Sequence, residues 1–293
     1  MDQPLILHSH IPKTAGVTVS RILHGSFDLF HLHHYHPDPH FLLTPDVLEK
    51  ILEISPALKS ISSHCIRTFP QRVGGRPVLY ITFLRNPADV FVSLLRYVKQ
   101  EFANLSPEAL ASWPEDTPRL DLKRLAARKL EASDDRSHYC PISHFFCGPH
   151  IIEKAGKVDE DSYDNVCQEL TKLILSRFFF VGLVEEMPRS IRLLKAKLAR
   201  YGLCLKPPLM QRFNKTKGFE NLSWLKESNP LGARVLKATA FDRLLYDHFY
   251  HRFRDEYRLF ENGETVSPPE ELSGFQLIEE WAASVCLDQR PRS

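Results

Sequence analysis

Short apolar runs alternate with helical patterns in the first part of the chain. Residues 5–9 form an apolar run that leads through Pro12 into a segment, 17–23, where apolar residues recur at helical spacing. This pattern predicts a strand, a loop and a helix. A second helix is predicted to begin at Pro45, with Thr44 as its N-cap residue.

Two further apolar runs predict strands at 57–65 and 78–84, separated by the turn signal Gly74-Gly75-Arg76-Pro77. The second run is almost continuously apolar, which is typical of a strand buried in a parallel sheet. A helix is then predicted to open at Asn86-Pro87. The alternation predicts an α/β fold, with a central, mainly parallel sheet and flanking helices.

The second part of the chain begins with a change of pattern. Residues from about 104 to 164 are polar, helical in spacing and interrupted by prolines, so we expect a helical insertion that lies over the sheet and faces the substrate. A buried strand is predicted at 177–184, a helix at 188–201 and one long helix at 230–253. We expect one domain over 1–260, followed by a linker and a short helix in 261–293.

Composition and charge limit the classes of function. The 293 residues include 38 Lys and Arg against 36 Asp and Glu, a balance that does not favour a general binder of nucleic acid or membrane surfaces. No apolar stretch approaches the roughly 18 residues of a membrane span, and no basic and apolar leader precedes the first strand. We therefore expect a cytoplasmic protein without a membrane span, whose mature chain begins at Met1. Its six cysteines, without a C-x-x-C pair, are expected to be reduced and mostly buried.

The loop between the first strand and helix has the features of a phosphate site. Such a loop directs backbone N–H groups and the positive end of a helix toward an anion, and Lys13 adds a full charge. The Walker A pattern, G-x-x-x-x-G-K followed by serine or threonine, is not met, because Lys13 precedes Gly16. No predicted strand ends in a magnesium-binding aspartate either. An ordinary P-loop nucleotide hydrolase is therefore disfavoured.

Two motifs carry a resemblance to a known family. His10-Ile11-Pro12-Lys13-Thr14-Ala15-Gly16-Val17-Thr18 resembles the 5′-phosphosulfate loop of sulfotransferases that use 3′-phosphoadenosine 5′-phosphosulfate, particularly the carbohydrate branch of the heparan and chondroitin type. Leu84-Arg85-Asn86-Pro87-Ala88-Asp89-Val90-Phe91-Val92-Ser93 resembles the family's second signature, in which an arginine and a serine eight residues later bind the 3′-phosphate. The resemblance covers about 5–253.

The resemblance implies a P-loop-like nucleotide-binding fold and a set of donor-binding residues. In this chain they would be Lys13, Thr14, Ala15, Gly16, Val17, Thr18, Arg85, Ser93 and Lys217. Val17 stands where many relatives carry a hydroxyl residue, so Thr18 alone would offer a hydroxyl to the 5′-phosphate at that end of the loop. The segment Lys215-Thr216-Lys217-Gly218 is similar to a basic loop that closes over the 3′-phosphate, but it is read equally well as a solvated basic turn.

His64 is the candidate catalytic base. Transfer of a sulfuryl group requires the acceptor hydroxyl to lose a proton, and histidine has a suitable pKa for that step. His64 ends a predicted strand and resembles the G-H-x-x-F segment of the carbohydrate branch, with serine in place of the glycine. A hydrogen-bonded histidine without a catalytic role is the alternative. Lys13 would be the second catalytic residue, stabilising charge on the leaving oxygen without a required metal.

A histidine-rich stretch follows the first helix. His31, His33, His34, His36 and His40 lie within ten residues, near prolines. We interpret the stretch as a loop, because its spacing lacks the regular pattern of a closed zinc site. It is a candidate for the entrance of the acceptor.

The sequence thus predicts transfer of a sulfuryl group from 3′-phosphoadenosine 5′-phosphosulfate to a hydroxyl, expected to belong to a glycan or another small molecule. The product nucleotide would be 3′-phosphoadenosine 5′-phosphate. A nucleotide kinase or ATPase of P-loop type and a non-catalytic nucleotide-binding protein remain the alternatives. The acceptor's identity and the oligomeric state are left open.

Overall fold

The computed structural model describes residues 3–36, 41–67, 69–104, 121–132, 141–147, 163–206 and 222–264. Its strands are β1 (Leu5–Ser9), β2 (His31–His33), β3 (Ser60–Ser63), β4 (Arg72–Val73), β5 (Arg76–Leu84) and β6 (Phe178–Leu183). Its helices are α1 (Gly16–Phe27), α2 (Pro45–Ile54), α3 (Pro87–Asn104), α4 (Leu122–Ala132), α5 (Pro141–Cys147), α6 (Tyr163–Arg177), α7 (Met187–Ala199), α8 (Pro230–Ala238) and α9 (Ala240–Glu261).

The sheet within these residues is mainly parallel. Its order is β2-β3-β1-β5, and β6 pairs with the other edge of β5, all in parallel. Leu7 of β1, for example, lies between Ile61 of β3 and Tyr80 of β5. β4 forms a short antiparallel hairpin with the start of β5. The predicted α/β class, with a central parallel sheet and flanking helices, is confirmed.

The central strands are buried because helices cover them. All five residues of β1 and the last six of β5 are buried, as parallel strands require. α1 packs against β2 and β3, whereas α6, α7 and α9 pack against β6. At β6 the packing is tight: a Cβ at Gly182 would approach the Phe83 ring to 2.6 Å, so only glycine fits there.

The connections leave a crevice between β1 and β5. α1 leads from β1 toward β2 on one side of the sheet, while α3 follows β5, whose other edge is taken by β6. The chain therefore leaves the carboxyl ends of these adjacent strands in opposite directions. Open α/β sheets bind ligands at such a switch point.

Two helices in the predicted insertion are described. α4 packs with α3 and α8 around a second apolar cluster that includes Phe91, Leu125 and Trp224. α5 adds Phe145 and Phe146 to the main core. Residues 105–120, 133–140 and 148–162 of the predicted insertion, and the tail beyond 264, lie outside the described residues.

The prediction of one helix over 230–253 was wrong. α8 ends at Ala238, and α9 begins at Ala240 and continues to Glu261. Between them the buried Thr239 hydroxyl donates to the carbonyl of Val235 at 3.0 Å, and its backbone (φ −96°, ψ 6°) departs from the helix. Such side chain to backbone bonds compete with helix continuation.

Three smaller expectations had different outcomes, and one of them was wrong. His31–His33 is a strand, β2, rather than a loop, because it pairs in parallel with β3. Thr44 is the N-cap residue of α2, but its side chain makes no capping hydrogen bond. Cys65 is buried as expected, whereas Cys204 is exposed. Within the described ranges, no helix has both the length and the apolar character needed to cross a membrane.

Candidate active site

The loop between β1 and α1 has an unusual backbone. Lys13 and Ala15 adopt left-handed conformations, with φ of 65° and 63°, although neither is glycine. A left-handed L-residue costs roughly 1–2 kcal/mol, and such strain concentrates at ligand sites. Turns of this kind direct backbone N–H groups toward a common point, where an anion can bind.

Hydrogen bonds inside the loop stabilise this conformation. The Thr14 hydroxyl donates to the Ile11 carbonyl at 2.9 Å, and the Thr14 amide approaches the same oxygen at 3.4 Å. The His10 amide donates to Ser63 of β3 at 3.0 Å. Thr14 is therefore buried as part of the loop itself, and its hydroxyl points to the loop carbonyl rather than to the crevice.

The start of α1 supplies N–H groups for an anion. Gly16, Val17 and Thr18 form its first turn, where amides have no acceptor within the helix. The cap residue Ala15 offers no side-chain hydrogen bond, and the first turn contains no acidic residue. Val17 is 37% exposed and Thr18 is half-buried, so this turn is open to a ligand.

Gly16 is required by the packing of His10. A Cβ at Gly16 would lie 1.5 Å from Cδ2 of the His10 ring. That ring is buried and stacks on His64, with centroids 3.9 Å apart. The glycine therefore lets the strand-end imidazole pack under the start of α1, which fixes the loop above it.

Lys13 is half-buried, and its ammonium lies over an aromatic ring. Nζ is 3.6 Å from the centroid of Tyr97 on α3. Burial lowers the pKa of Lys13, and the Glu101 carboxylate partly opposes this shift. The sequence-based prediction did not include Tyr97. The sequence did contain a signal for it, because Tyr97 follows Ser93 by four residues and therefore lies on the same face of the predicted helix.

Arg85 and the loop meet in the crevice, as predicted. Arg85 directly follows β5, is half-buried, and donates through Nη1 to the carbonyl of Lys13 at 3.4 Å. Ser93 lies two turns into α3 and is half-buried. Arg85 and the Lys13 loop are therefore in direct contact, with the Ser93 helix starting beside them.

The start of α3 is fixed by contacts from distant elements. Asn86 accepts from the Ala88 amide at 3.0 Å, and its own amide donates to Glu185 at 2.8 Å. The second oxygen of Glu185 accepts from the Tyr246 hydroxyl of α9, also at 2.8 Å. These bonds hold the segment that carries Arg85 and Ser93.

His64 follows β3 at the same edge of the sheet. Its Nδ1 hydrogen-bonds the carbonyl of His10. Because a carbonyl can only accept, Nδ1 carries the proton and Nε2 keeps its lone pair. Burial lowers the pKa of His64, the bond to His10 opposes this, and the nearby cations Arg67 and Lys13 lower it further. His64 is therefore neutral near pH 7.

Arg67 is a second cation beside His64 that the prediction did not include. Its guanidinium lies 5.3 Å from the ring centroid of Phe145 on α5. Nε is buried and has no hydrogen-bond partner among the described residues. Burial lowers the pKa of Arg67.

The histidine-rich stretch is part of a partly buried network of imidazoles and hydroxyls. Serines of β3 hydrogen-bond with histidines of β1, of β2 and of the residue that follows β2, in the pairs His8–Ser62 (2.9 Å), His31–Ser60 (2.8 Å) and His34–Ser63 (3.1 Å). Burial, with smaller contributions from neighbouring histidines, lowers the pKa of His8 to about 3 and that of His31 to about 4. The described part of the chain contains no group of three or more His, Cys, Asp or Glu positioned to hold a metal ion. Because their pKa values lie well below 7, His8 and His31 are neutral around pH 7.

Lys217 and its basic loop lie outside the described residues. A groove of about 440 Å³ is lined by residues of α7 and α9, including Arg189, Arg254 and Tyr257, and by none of the predicted site residues.

Comparisons with known proteins add no family assignment. No protein-family model matches the chain, and no curated protein matches it. The chemistry of the crevice is therefore inferred from the residues that line it.

Proposed function

We propose that the chain is a sulfotransferase with a P-loop-like nucleotide-binding fold. It transfers the sulfuryl group of 3′-phosphoadenosine 5′-phosphosulfate to a hydroxyl of a carbohydrate acceptor. The donor's phosphosulfate binds at the Lys13 loop and the first turn of α1. Its 3′-phosphate binds at Arg85 and Ser93.

The observation that carries this proposal is the contact between Arg85 and the Lys13 loop. Two motifs that are 72 residues apart meet at the switch point of the sheet, with Nη1 of Arg85 3.4 Å from the Lys13 carbonyl. One motif offers unpaired helix amides and an ammonium, and the other offers a guanidinium and a hydroxyl. A ligand with two separated anionic groups fits this pair better than a ligand with one.

Lys13 and the amides of α1 supply positive charge where the reaction needs it. During transfer, the acceptor oxygen forms a bond to sulfur while the bond from sulfur to the bridging phosphate oxygen breaks. Negative charge grows on that bridging oxygen, and fixed N–H dipoles and an ammonium stabilise it without reorganisation. The product nucleotide leaves with this oxygen.

His64 takes the proton of the acceptor hydroxyl. Its tautomer is set by the bond from Nδ1 to His10, which leaves Nε2 as the proton acceptor. The lowered pKa keeps the ring neutral and ready at pH 7. The carbohydrate class of the acceptor is supported by the resemblance of the His10–Thr18 loop and of the His64 segment to the carbohydrate branch.

The test combines binding and transfer. Isothermal titration with 3′-phosphoadenosine 5′-phosphate should give micromolar or tighter binding by the wild type. Donor labelled in its sulfate should transfer label to a panel of glycan hydroxyls. Lys13→Ala, Arg85→Ala and His64→Ala should each abolish or strongly reduce transfer, whereas Lys195→Ala, at an exposed position on α7, should leave both assays unchanged.

Three outcomes would contradict the proposal in different ways. No nucleotide binding by the wild type would remove the donor assignment. Magnesium-dependent ATP turnover would favour a kinase or ATPase instead. Nucleotide binding without transfer to any acceptor would favour a non-catalytic binding protein, and unchanged transfer by His64→Ala would remove His64 from the mechanism.

A further inference from the structure

One face of α3 carries three polar residues. Ser93, Tyr97 and Glu101 follow one another at intervals of four residues, so they lie in a row along the helix. Tyr97 is 44% exposed, and the ammonium of Lys13 lies over its ring at 3.6 Å from the centroid. The proposed catalytic lysine therefore contacts the residue one turn beyond Ser93.

The contact of Lys13 with Tyr97 is a cation–π interaction of good geometry. Attraction extends to about 6 Å from a ring centroid and strengthens when the ammonium loses water. Lys13 is half-buried, so part of its hydration is already replaced by the ring. An interaction of this kind shifts an equilibrium by roughly 2- to 30-fold.

Glu101 supports the same arrangement. Burial, followed by the charge of the nearby Glu101 carboxylate, raises the pKa of Tyr97. The same carboxylate attracts the ammonium of Lys13. The phenol therefore stays protonated near pH 7, and the carboxylate attracts the lysine toward this face of α3.

We propose that Tyr97 is a positioning residue that holds the ammonium of Lys13 at the crevice before a donor binds and yields it to the anionic donor. The second part rests on the proposed sulfotransferase function. A charged phosphosulfate forms charge-assisted hydrogen bonds with Lys13 that are stronger than its contact with the ring. Because the flexible lysine is already near the loop, less side-chain freedom is lost when the donor arrives.

The contact itself is tested in the nucleotide-free protein. Acetylation of Lys13 is followed against pH by mass spectrometry in the wild type, Tyr97→Phe, Tyr97→Leu and Tyr97→Ala. Tyr97→Leu keeps an apolar side chain beside Lys13 but removes the attraction of the ring for the ammonium, so its titration midpoint should fall below that of the wild type. Tyr97→Ala also lets water reach Lys13, so its midpoint should lie above that of Tyr97→Leu. Tyr97→Phe keeps the ring and should keep the wild-type midpoint. A midpoint that is the same in all four proteins would overturn the proposal.

Tyr201→Ala is the matched control. Tyr201 is 48% exposed and packs edge-on against Phe179, in the turn that follows α7. Its loss should leave the Lys13 midpoint unchanged. A general loosening of the fold would shift Lys13 in this variant as well, and that result would count against a specific role for Tyr97.

The effect on the donor is measured separately. Tyr97→Ala should weaken binding of 3′-phosphoadenosine 5′-phosphate and raise the KM for the donor by roughly 5-fold, with kcat changed by less than about 2-fold, whereas Tyr97→Phe should bind within about 2-fold of the wild type. Equal affinity of all variants would overturn the positioning role. If the wild type binds no nucleotide, the proposed function fails, and the acetylation result still decides whether Tyr97 holds Lys13.

Discussion

Substitution of Gly16 by alanine tests how the loop is held. The new Cβ would lie 1.5 Å from the His10 ring, where ordinary contacts exceed about 3.4 Å, so the ring would have to move by about 2 Å. His10 is only 5% exposed and stacks against both His64 and His8, which leaves it little space. Overpacking of this kind costs about 1–3 kcal/mol, so we expect Gly16→Ala to lower the free energy of unfolding by about 2 kcal/mol.

A double-mutant cycle identifies the cause. His10→Ala removes the ring that the new methyl group would meet, so Gly16→Ala should cost almost nothing in that background. The coupling energy between the two sites should then be about 2 kcal/mol, within the range measured for residues in contact. Urea unfolding followed by circular dichroism gives the four free energies.

Gly25→Ala in the same helix is the matched control. A Cβ at Gly25 would meet no atom within 4 Å, so alanine should stabilise α1 by up to about 1 kcal/mol. The reasoning would be refuted if Gly16→Ala were as stable as the wild type, or if its cost were the same with and without the His10 ring.

Two further predictions concern buried or partly buried titratable side chains. Asp242 of α9 accepts from the amides of Ile142 and Ser143 and from the Ser143 hydroxyl at the start of α5, so Asp242→Ala should lower the free energy of unfolding by about 3 kcal/mol, since it leaves buried donors unpaired. Asp242→Asn, which keeps one acceptor oxygen, should lower the melting temperature less than Asp242→Ala does. Equal decreases in the two variants would contradict this prediction. Stability should also fall as pH decreases from 7 to 4, because burial holds the pKa of His8 at about 3 and that of His31 at about 4, so the unfolded chain binds these protons first. Burial also raises the pKa of Asp242 to about 6, which acts in the opposite direction below that pH, but its shift is smaller than that of His8 alone. Urea unfolding midpoints measured across this pH range give the net effect of these groups on stability. A midpoint that does not change with pH would contradict the prediction.

The helices and strands that were predicted correctly are specified by short local patterns in the sequence. The apolar run of β1, the helical spacing after Pro12 and the proline at the start of α3 are all readable within a short window. β2 was missed because its histidines are stabilised by serines that lie far along the chain, such as Ser20 and Ser60. A local pattern of apolar residues contains no information about such partners.

The residues of the candidate site also divide into those that local patterns indicate and those that depend on contacts made by the fold. Lys13 and Arg85 lie close together, as expected, because the carboxyl ends of adjacent parallel strands share one edge of the sheet. Tyr97 and Arg67 were missed because their roles depend on contacts with Lys13 and Phe145 that only the fold creates. The direction of the Thr14 hydroxyl, toward Ile11, likewise depends on the left-handed backbone of the loop.

The central position of β1 has a consequence for when the crevice forms during folding. β1 must pair with β3 and β5, and the start of α3 is bound through Glu185 to Tyr246 of α9. Contacts of such long sequence separation form late and slow folding. During synthesis, the crevice can therefore be completed only after α9 has emerged from the ribosome, and nascent fragments that end before Tyr246 should lack the contact that fixes Glu185 against the start of α3.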